Sequence, residues 1–396
     1  MKPAGWRKWL AIGTGIGIQI RGEDLHVVAA RVRPPGVRWL GALTIASFRT
    51  RPAAEWGKEY AQFVRKLGLA HLSAMVLLPR GEVIVRQLAL PGVKNSELDA
   101  AVRFQVDSLH PYGEDDVAYC AARIGSSPAV LVGIARRETI DRYFGLLNEA
   151  GIKTASISFS AAAIHSAIRL LTPPPDGFLA LHQDGEGVEA YGESEARPLL
   201  SALFHLPPER AAALAMAELR LPAPVEPWRL EDVLPFPRNR RRDDAETRAE
   251  IAKLALAYAG ALAAACPRLA LPANLLAPEL RSASSRLIFA PTFALAALLA
   301  LLVVALSLEG AYSRRRYLET VREEIRKLEP QARRAQDLDK SIQSTVERIQ
   351  RLDEFRQRTK ADMDLIHELT QIVGPPAWLN SLEINRTTVN IGGEAE

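Results

Sequence analysis

The sequence predicts an α/β domain followed by a membrane-spanning helix, a coiled coil and a short strand pair. Three observations support this fold class. Residues 9–268 alternate short strand-like segments with segments of helical periodicity, which is typical of an α/β or α+β domain with its own core. The 22 residues Leu287–Leu308 carry no charge. Beyond them, apolar residues recur in steps of three and four, which is coiled-coil spacing.

Composition excludes several classes of function. The 396 residues carry a net charge of +4, which is only mildly basic and by itself says little about nucleic acid; we expect no nucleic-acid partner. The two cysteines, Cys120 and Cys266, lie far apart and form no CxxC pair, so we expect no disulfide framework and no zinc motif. The seven histidines are scattered, and the sequence contains no GxxxxGK[ST], HExxH or GxSxG motif. We therefore expect no metal and no catalytic residues.

Alternating apolar residues predict the strands, and a period near 3.6 predicts the helices. The predicted strands are Leu10–Ile20, Leu25–Val32, Trp39–Phe48, Met75–Leu78, Val83–Leu90, Val130–Ile134, Phe178–Leu181 and Val188–Tyr191. The predicted helices are Trp56–Leu67, Ser96–Leu109, Thr139–Ala150, one between Ile157 and Leu171, and Thr247–Cys266. Recurrent prolines predict irregular structure over Leu206–Pro237.

Two short runs allow a binding function as well as a structural one. Gly13, Gly15 and Gly17 form a GxGxG run, but it lies within a strand pattern and opens no helix, so it is a weak phosphate-binding signal. The second run is basic and is either a solvated loop or a contact for anionic lipid or an acidic partner. It consists of Arg238, Arg240, Arg241 and Arg242.

The uncharged stretch Leu287–Leu308 is long enough to cross a membrane. At about 1.5 Å per residue it spans roughly 33 Å, against a hydrocarbon core of roughly 30 Å. A buried core helix is the alternative. The positive-inside rule favours a cytoplasmic C-terminus, since more arginine and lysine follow the stretch than precede it. The long N-terminal region has no export signal, however, so we expect the N-terminus to be cytoplasmic.

The segment after the span predicts a coiled coil of about five heptads, with a solitary amphipathic helix as the alternative. Its apolar seam shifts once by an extra step of three, which overwinds a coiled coil locally. The seam consists of Leu318, Val321, Ile325, Leu328, Ala332 and Ala335, then Leu338, Ile342, Thr345, Ile349 and Leu352. A helix at Asp364–Val373 and strands at Trp378–Ile384 and Thr387–Ile391 follow. They form a poor independent domain, so we expect the C-terminus to be cut short.

Three blocks of sequence resemble inner-membrane proteins of type IV pilus assembly. Ile16–Arg33 and Val83–Tyr119 resemble the actin-like PilM family, and Ala273–Arg281 with the coil and the C-terminal strands resembles the PilN family. The order of the blocks is similar to that of GspL in type II secretion. The resemblance implies a degenerate actin-like (ribonuclease H-like) domain over 9–268 and a PilN-like juxtamembrane segment over 269–286. A transmembrane helix over 287–308, a coiled coil over 309–360 and the start of a ferredoxin-like α+β domain over 361–396 complete the predicted layout.

Departures from the family pattern predict a protein without catalysis. Actin-like ATPases hold metal and phosphate with an aspartate and a glycine in the first strand turn, where this sequence has Gly17 and Gln19. The second phosphate loop falls near Leu181–Gly185, where Asp184 and Gly185 lack the usual hydrophobic lead. Without the metal carboxylate, nothing neutralises the developing phosphate charge. We expect a non-catalytic scaffold with no cofactor; the alternative is an actin-like ATP-binding protein with nucleotide-dependent regulation.

The resemblance also implies partner-binding residues and a location. In PilN-type chains an NLLP-like segment docks into a groove on the actin-like protein, and Asn274, Leu275 and Leu276 match it, with Ala277 in place of the proline. A plain extended linker is the alternative. The expected coil contacts are Ile325, Leu328, Ile342, Ile349 and Leu352.

The expected partners are inner-membrane platform proteins, a periplasmic PilO-like coiled-coil protein and a cytoplasmic assembly ATPase, with the chain in a homo- or heterodimer. The expected location is the bacterial inner membrane, with a cytoplasmic N-terminus, a single span and a periplasmic C-terminus.

Overall fold

The computed structural model describes residues 5–113, 116–125, 127–185, 187–221, 225–237, 244–282, 290–375, 377–385 and 388–395. The chain divides into two compact units, Met1–Ile288 and Phe289–Glu396. The basic run at residues 238–242 lies outside the described residues.

The first unit contains both strands and helices, as predicted. Its strands are β1 (Gly13–Arg21), β2 (Asp24–Arg33), β3 (Gly36–Ile45), β4 (Ala74–Leu77), β5 (Val83–Ala89), β6 (Val117–Arg123), β7 (Ala129–Arg136), β8 (Thr154–Ser158), β9 (Phe178–Asp184), β10 (Gly187–Glu193), β11 (Leu200–Phe204) and β12 (Trp228–Arg229). Its helices are α1 (Gly5–Leu10), α2 (Ala53–Lys66), α3 (Leu98–Arg103), α4 (Arg137–Glu149), α5 (Ser160–Ile168), α6 (Pro208–Leu219), α7 (Leu230–Val233), α8 (Asp244–Lys253) and α9 (Ala255–Ala265).

The first sheet has the strand order β3-β2-β1-β4-β8. Strands β1, β2 and β3 form an antiparallel meander, while β4 pairs parallel to β1 and β8 pairs parallel to β4. Ile16, Ile18 and Ile20 lie on one face of β1 and are buried. The residues between them, which lie on the opposite face, are buried as well. A strand buried on both faces belongs to the middle of a layered α/β domain, which this sheet forms.

The second sheet repeats the strand arrangement at the start of the first. Its order is β11-β10-β9-β12, with β9, β10 and β11 in an antiparallel meander and β12 parallel to β9. A third sheet, β5-β7-β6, is antiparallel and packs with α3 around a hydrophobic cluster of its own. The first unit thus contains two copies of one strand arrangement, an antiparallel meander with a parallel fourth strand, and a separate three-stranded sheet inserted in the chain.

The GxGxG run is explained by the close approach of α9 to β1. A Cβ placed on Gly15 would lie 2.3 Å from the Ala261 carbonyl oxygen, and one on Gly17 would lie 2.2 Å from the Ala257 carbonyl oxygen. Backbone atoms of a helix cannot yield to a side chain at that distance, so only glycine fits. The three glycines form the surface of β1 on which α9 packs, and this packing explains the run without phosphate binding.

Several elements differ from the sequence predictions. Strands β6, β8 and β11 and helix α6 were not predicted. Helix α6 begins at Pro208 inside the proline-rich region, because proline in the first turn of a helix costs no hydrogen bond. The predicted helix Thr247–Cys266 is two helices, because the backbone leaves helical geometry at Leu254. The predicted helix after Ser96 is a short α-helix flanked by 3-10 turns.

The second unit contains one long helix, α10 (Ala290–Ile372, 83 residues), and the antiparallel strands β13 (Ala377–Ile384) and β14 (Val389–Ala395). Helix α10 continues through Pro330. It contains the predicted apolar stretch from Ala290 onward, the predicted coil and the helix predicted after it, and the first three residues of the stretch lie outside the described residues.

The predicted transmembrane helix is corrected by this arrangement. Within the described ranges of the chain, no helix has the length and apolar character needed to cross a membrane. The predicted span, and the inner-membrane location and single-span topology that depended on it, are therefore wrong for the described chain.

Candidate functional site

The segment that contains Asn274, Leu275 and Leu276 lies along the free edge of β8. The Leu275 amide donates to the Ile157 carbonyl at 2.8 Å, and the Ser282 amide donates to the Thr154 carbonyl at 2.8 Å. An uncovered edge strand exposes unpaired backbone groups, and this segment, residues 271–282, satisfies those of β8. We call it the docked segment.

Asn274 fixes the register of the docked segment. Its Oδ1 accepts hydrogen bonds from the amides of Ile157 at 3.1 Å and Leu276 at 3.0 Å, and its Nδ2 donates to the Ala155 carbonyl at 3.2 Å. The Asn274 side-chain amide therefore links the docked segment to β8, and it uses both its hydrogen-bond donor and its hydrogen-bond acceptor. Asparagine suits this position because a hydrophobic or charged side chain offers no such donor–acceptor pair.

The two leucines anchor the docked segment in the main hydrophobic core. Leu275 is 4% exposed and Leu276 is 1% exposed, and both belong to the cluster that contains the first sheet. Ser158 adds a hydrogen bond to the Ala273 carbonyl at 2.7 Å, and Arg281 donates to the Leu276 carbonyl at 2.9 Å. The segment is thus folded against the first unit and is not an extended linker. Its role in binding a separate partner stays a prediction.

The predicted coil contacts lie along α10. Their side chains are between 55% and 64% exposed, so the apolar seam is open along the described part of the helix. These residues are Ile325, Leu328, Ile342, Ile349 and Leu352. Their pairing with another helix stays a prediction.

Gly17 and Gln19, where the resemblance places the first phosphate-binding residues, lie within β1 opposite Val28 and His26 and not in a turn. The second phosphate loop is expected near a tight turn of the second sheet, and a similar turn follows β1 in the first sheet. In the first sheet, Arg21 pairs with Asp24 and Gly22 has φ 54°, which gives a two-residue turn. In the second sheet, Asp184 pairs with Gly187 across a turn that starts at Gly185. The Arg21 guanidinium lies so near Gly185 that a Cβ there would come within 3.1 Å of Nη2. The two turns are therefore in contact through Arg21.

A cavity of about 400 Å³ lies beside the first turn. It is lined by the charged side chains of Arg21, Glu250 and Lys253 together with His26 and Thr44. Among the residues with described positions, no group of three or more histidine, cysteine or acidic side chains is arranged to hold a metal ion. The described lining offers cations and one carboxylate, and not the carboxylate cluster that a magnesium–nucleotide site uses.

Sequence reasoning missed a buried polar network between α5 and β10. Arg169 donates to both carboxylate oxygens of Glu193, and His165 Nδ1 lies 3.3 Å from Glu193 Oε1. The Tyr191 hydroxyl also donates to Glu193, and Ser160 donates to Glu189. A signal was present in the sequence, since Glu189, Tyr191 and Glu193 alternate along a strand that is otherwise apolar and so share one face.

Burial opposes ionisation of Glu193, but the hydrogen bonds from His165 and Arg169 outweigh it and lower its pKa to about 2. The same carboxylate raises the pKa of Tyr191 together with burial, which is the larger cause. Glu193 is 8% exposed, so the network is a fixed ion pair of the interior and not a surface contact.

The Glu193 network predicts a specific acid sensitivity. In the unfolded chain a glutamate takes up its proton near pH 4.5, whereas folded Glu193 does so near pH 2. Between these values the unfolded state binds more protons, so stability falls as the pH falls, by on the order of 3 kcal/mol. We expect Glu193→Gln to be less stable than wild type above pH 4.5 and the difference to shrink toward pH 2. Urea unfolding at a series of pH values measures it.

Glu195→Gln is the matched control, because Glu195 lies two residues further on and is exposed. Its unfolding free energy should follow that of wild type across the pH series. A Glu193→Gln deficit that stays constant from pH 5 to pH 2 would contradict the assigned ion pair.

The sequence of residues 54–176 matches the family described as type IV pilus assembly protein PilM. The match covers α2, the inserted sheet, β8 and α5. It confirms the predicted resemblance for this part of the chain, which is PilM-like. No curated protein matches the sequence. The repeated strand arrangement of the two sheets agrees with the actin-like class that the resemblance implies.

Three solved structures are similar to this chain at low identity. The cytoplasmic domain of EpsL, an inner-membrane component of the type II secretion system of Vibrio cholerae, is 14% identical over 48% of this chain and 71% of its own, with a TM-score of 0.35. A PilM-PilN type IV pilus biogenesis complex is 16% identical over 62% of this chain and 71% of its own, with a TM-score of 0.40. A Bacteroides thetaiotaomicron protein with an actin-like ATPase fold and unknown function is 11% identical over 56% and 80%, with a TM-score of 0.32.

Proposed function

We propose that this chain is a non-catalytic scaffold of a type IV pilus or type II secretion assembly machine. The PilM-like sequence of residues 54–176 supports the class of machine. The contact between the two turns carries the non-catalytic part of the proposal. The Arg21 guanidinium lies against Gly185, at the turn where the resemblance places the second phosphate loop, and leaves no free space beside that glycine.

The face of β1 that leads to this turn is also closed. The backbone of α9 covers Gly13, Gly15 and Gly17, so none of these positions has room for a metal-binding carboxylate. Such a carboxylate holds the metal that neutralises charge on the transferring phosphate. Without this carboxylate, the domain retains its fold but cannot hold the metal that phosphoryl transfer requires.

The scaffold offers two kinds of binding element. The docked segment fills the β8 edge within the chain, where a short tether gives an effective concentration that reaches the millimolar range. The open seam of α10 exposes Ile325, Leu328 and Ile342 among others, which suits pairing with a second helix, from another copy or from a different protein.

One observation favours the alternative of a nucleotide-regulated protein. Arg21 and Lys253 place two cations in the cavity beside the first turn, and cations attract phosphate. In this alternative, Arg21 would leave Gly185 and bind the nucleotide instead.

An ATP hydrolysis assay on the full chain tests the non-catalytic part of the proposal. We expect no magnesium-dependent turnover above that of the buffer, because the described lining provides one carboxylate and not the cluster that a magnesium–nucleotide site uses. The variant Asp184→Asn should give the same baseline. Turnover in wild type that Asp184→Asn abolishes would contradict a non-catalytic scaffold, since a contaminating ATPase would not respond to that change.

A further inference from the structure

The buried helix α5 contacts the docked segment on one side. Ser166 Oγ accepts a hydrogen bond from the Leu271 amide at 3.0 Å and donates to the Ala162 carbonyl at 2.6 Å. Ser158, just before the helix, donates to the Ala273 carbonyl. The beginning of the docked segment is therefore attached to α5 and to the strand that precedes it.

The same helix holds the second sheet on another side. His165 is the neighbour of Ser166, and Arg169 follows one residue after the end of α5; both bind Glu193 of β10. Ser160, at the start of α5, donates to Glu189 of the same strand. The two contact sets on α5 are thus one residue apart.

Helix α5 has little freedom to change one contact without the other. All nine of its residues are buried, and it also packs against α9, which is in backbone contact with β1. Close-packed interiors transmit displacement because a void or an overlap is costly. A shift of α5 at Ser166 must therefore displace His165.

We propose that α5 couples the docking of residues 271–276 to the order of β10, so that release of the segment loosens the second sheet. Coupling between two sites is reciprocal, so disorder in β10 must loosen the docked segment by the same factor. The inference goes beyond the proposed scaffold function and does not depend on the absence of catalysis. In a scaffold, such coupling would let a partner at the β8 edge change the order of the second sheet.

Hydrogen exchange on the full chain, without nucleotide, tests the coupling. Asn274→Ala removes the three Asn274 hydrogen bonds and should raise the exchange rate of the β10 amides, residues 187–193, by about fivefold or more. Glu193→Gln should raise exchange at Leu271, Leu275 and Leu276 by a similar factor. The mild variant Ser166→Ala should weaken both cross-effects, because it cuts the link between α5 and the segment.

Val102→Ala is the control for a general loss of stability. Val102 is fully buried, but it belongs to the separate cluster of the inserted sheet. It should leave exchange in β10 and in the docked segment within about twofold of wild type. The proposal is overturned if Asn274→Ala raises exchange in 271–276 alone. An equal rise of β10 exchange in Val102→Ala would also overturn it.

Discussion

Replacing both Leu275 and Leu276 with serine is expected to detach the docked segment and to lower the stability of the first unit severely. Truncating a buried leucine costs about 2 to 5 kcal/mol, and serine adds an unsatisfied hydroxyl. Two such changes cost roughly 4 to 10 kcal/mol, against a total stability of about 5 to 15 kcal/mol for a typical domain. Urea unfolding measures the loss, and limited proteolysis within residues 271–282 reports the detachment.

Ala277→Ser is the matched control for this pair. Ala277 is the next residue of the same segment and is exposed, so its change to serine should cost less than about 0.5 kcal/mol. If the double leucine variant unfolds at the wild-type urea concentration and is cut no faster, the docked segment contributes nothing to the fold.

Gly17→Asp is expected to unfold the protein and not to create a metal site. The change restores the acidic residue type that the actin-like resemblance places here. A Cβ at this position would lie 2.2 Å from both the Ala257 carbonyl oxygen and the Ala261 amide nitrogen, so α9 would have to leave the sheet. Overpacking against a rigid backbone and burial of a charge each cost several kcal/mol. We expect insoluble or unfolded protein, measured by circular dichroism and thermal unfolding.

Gly145→Ala is the control for glycine replacement. A Cβ at Gly145 meets no atom within 4 Å, and the residue lies inside α4, so alanine should stabilise the protein by about 0.5 to 1 kcal/mol. A folded Gly17→Asp protein with the stability of wild type would show that α9 does not close this face of β1.

The β-strands with strong alternation were predictable from local sequence. The pairs β1–β2 and β9–β10 and the strands β4, β5 and β7 fall within a few residues of their predicted bounds, because their apolar residues alternate and glycine marks their turns. Strand β8 was missed because it has five residues and its partners are distant in sequence. Its neighbours are β4 and the docked segment, and local periodicity contains no information on either.

The candidate site could be predicted only in part, because its contacts also join segments that are distant in sequence. Asn274, Leu275 and Leu276 were identified by resemblance, but nothing in the order of residues places them on β8, more than a hundred residues earlier. The structural role of the GxGxG run could not be predicted either. It depends on the alanine-rich helix α9 about 250 residues later, whose small residues allow the backbones to meet.

Titration of the full chain with magnesium-ATP at millimolar concentration, followed by calorimetry, tests the central claim most directly. If Arg21 closes the contact between the two turns, wild type should give no saturable heat, and Arg21→Ala should give none either, because the metal carboxylate is still missing. Saturable binding by wild type that Arg21→Ala weakens would contradict the account, since it would make Arg21 a nucleotide ligand and not the residue that closes the site.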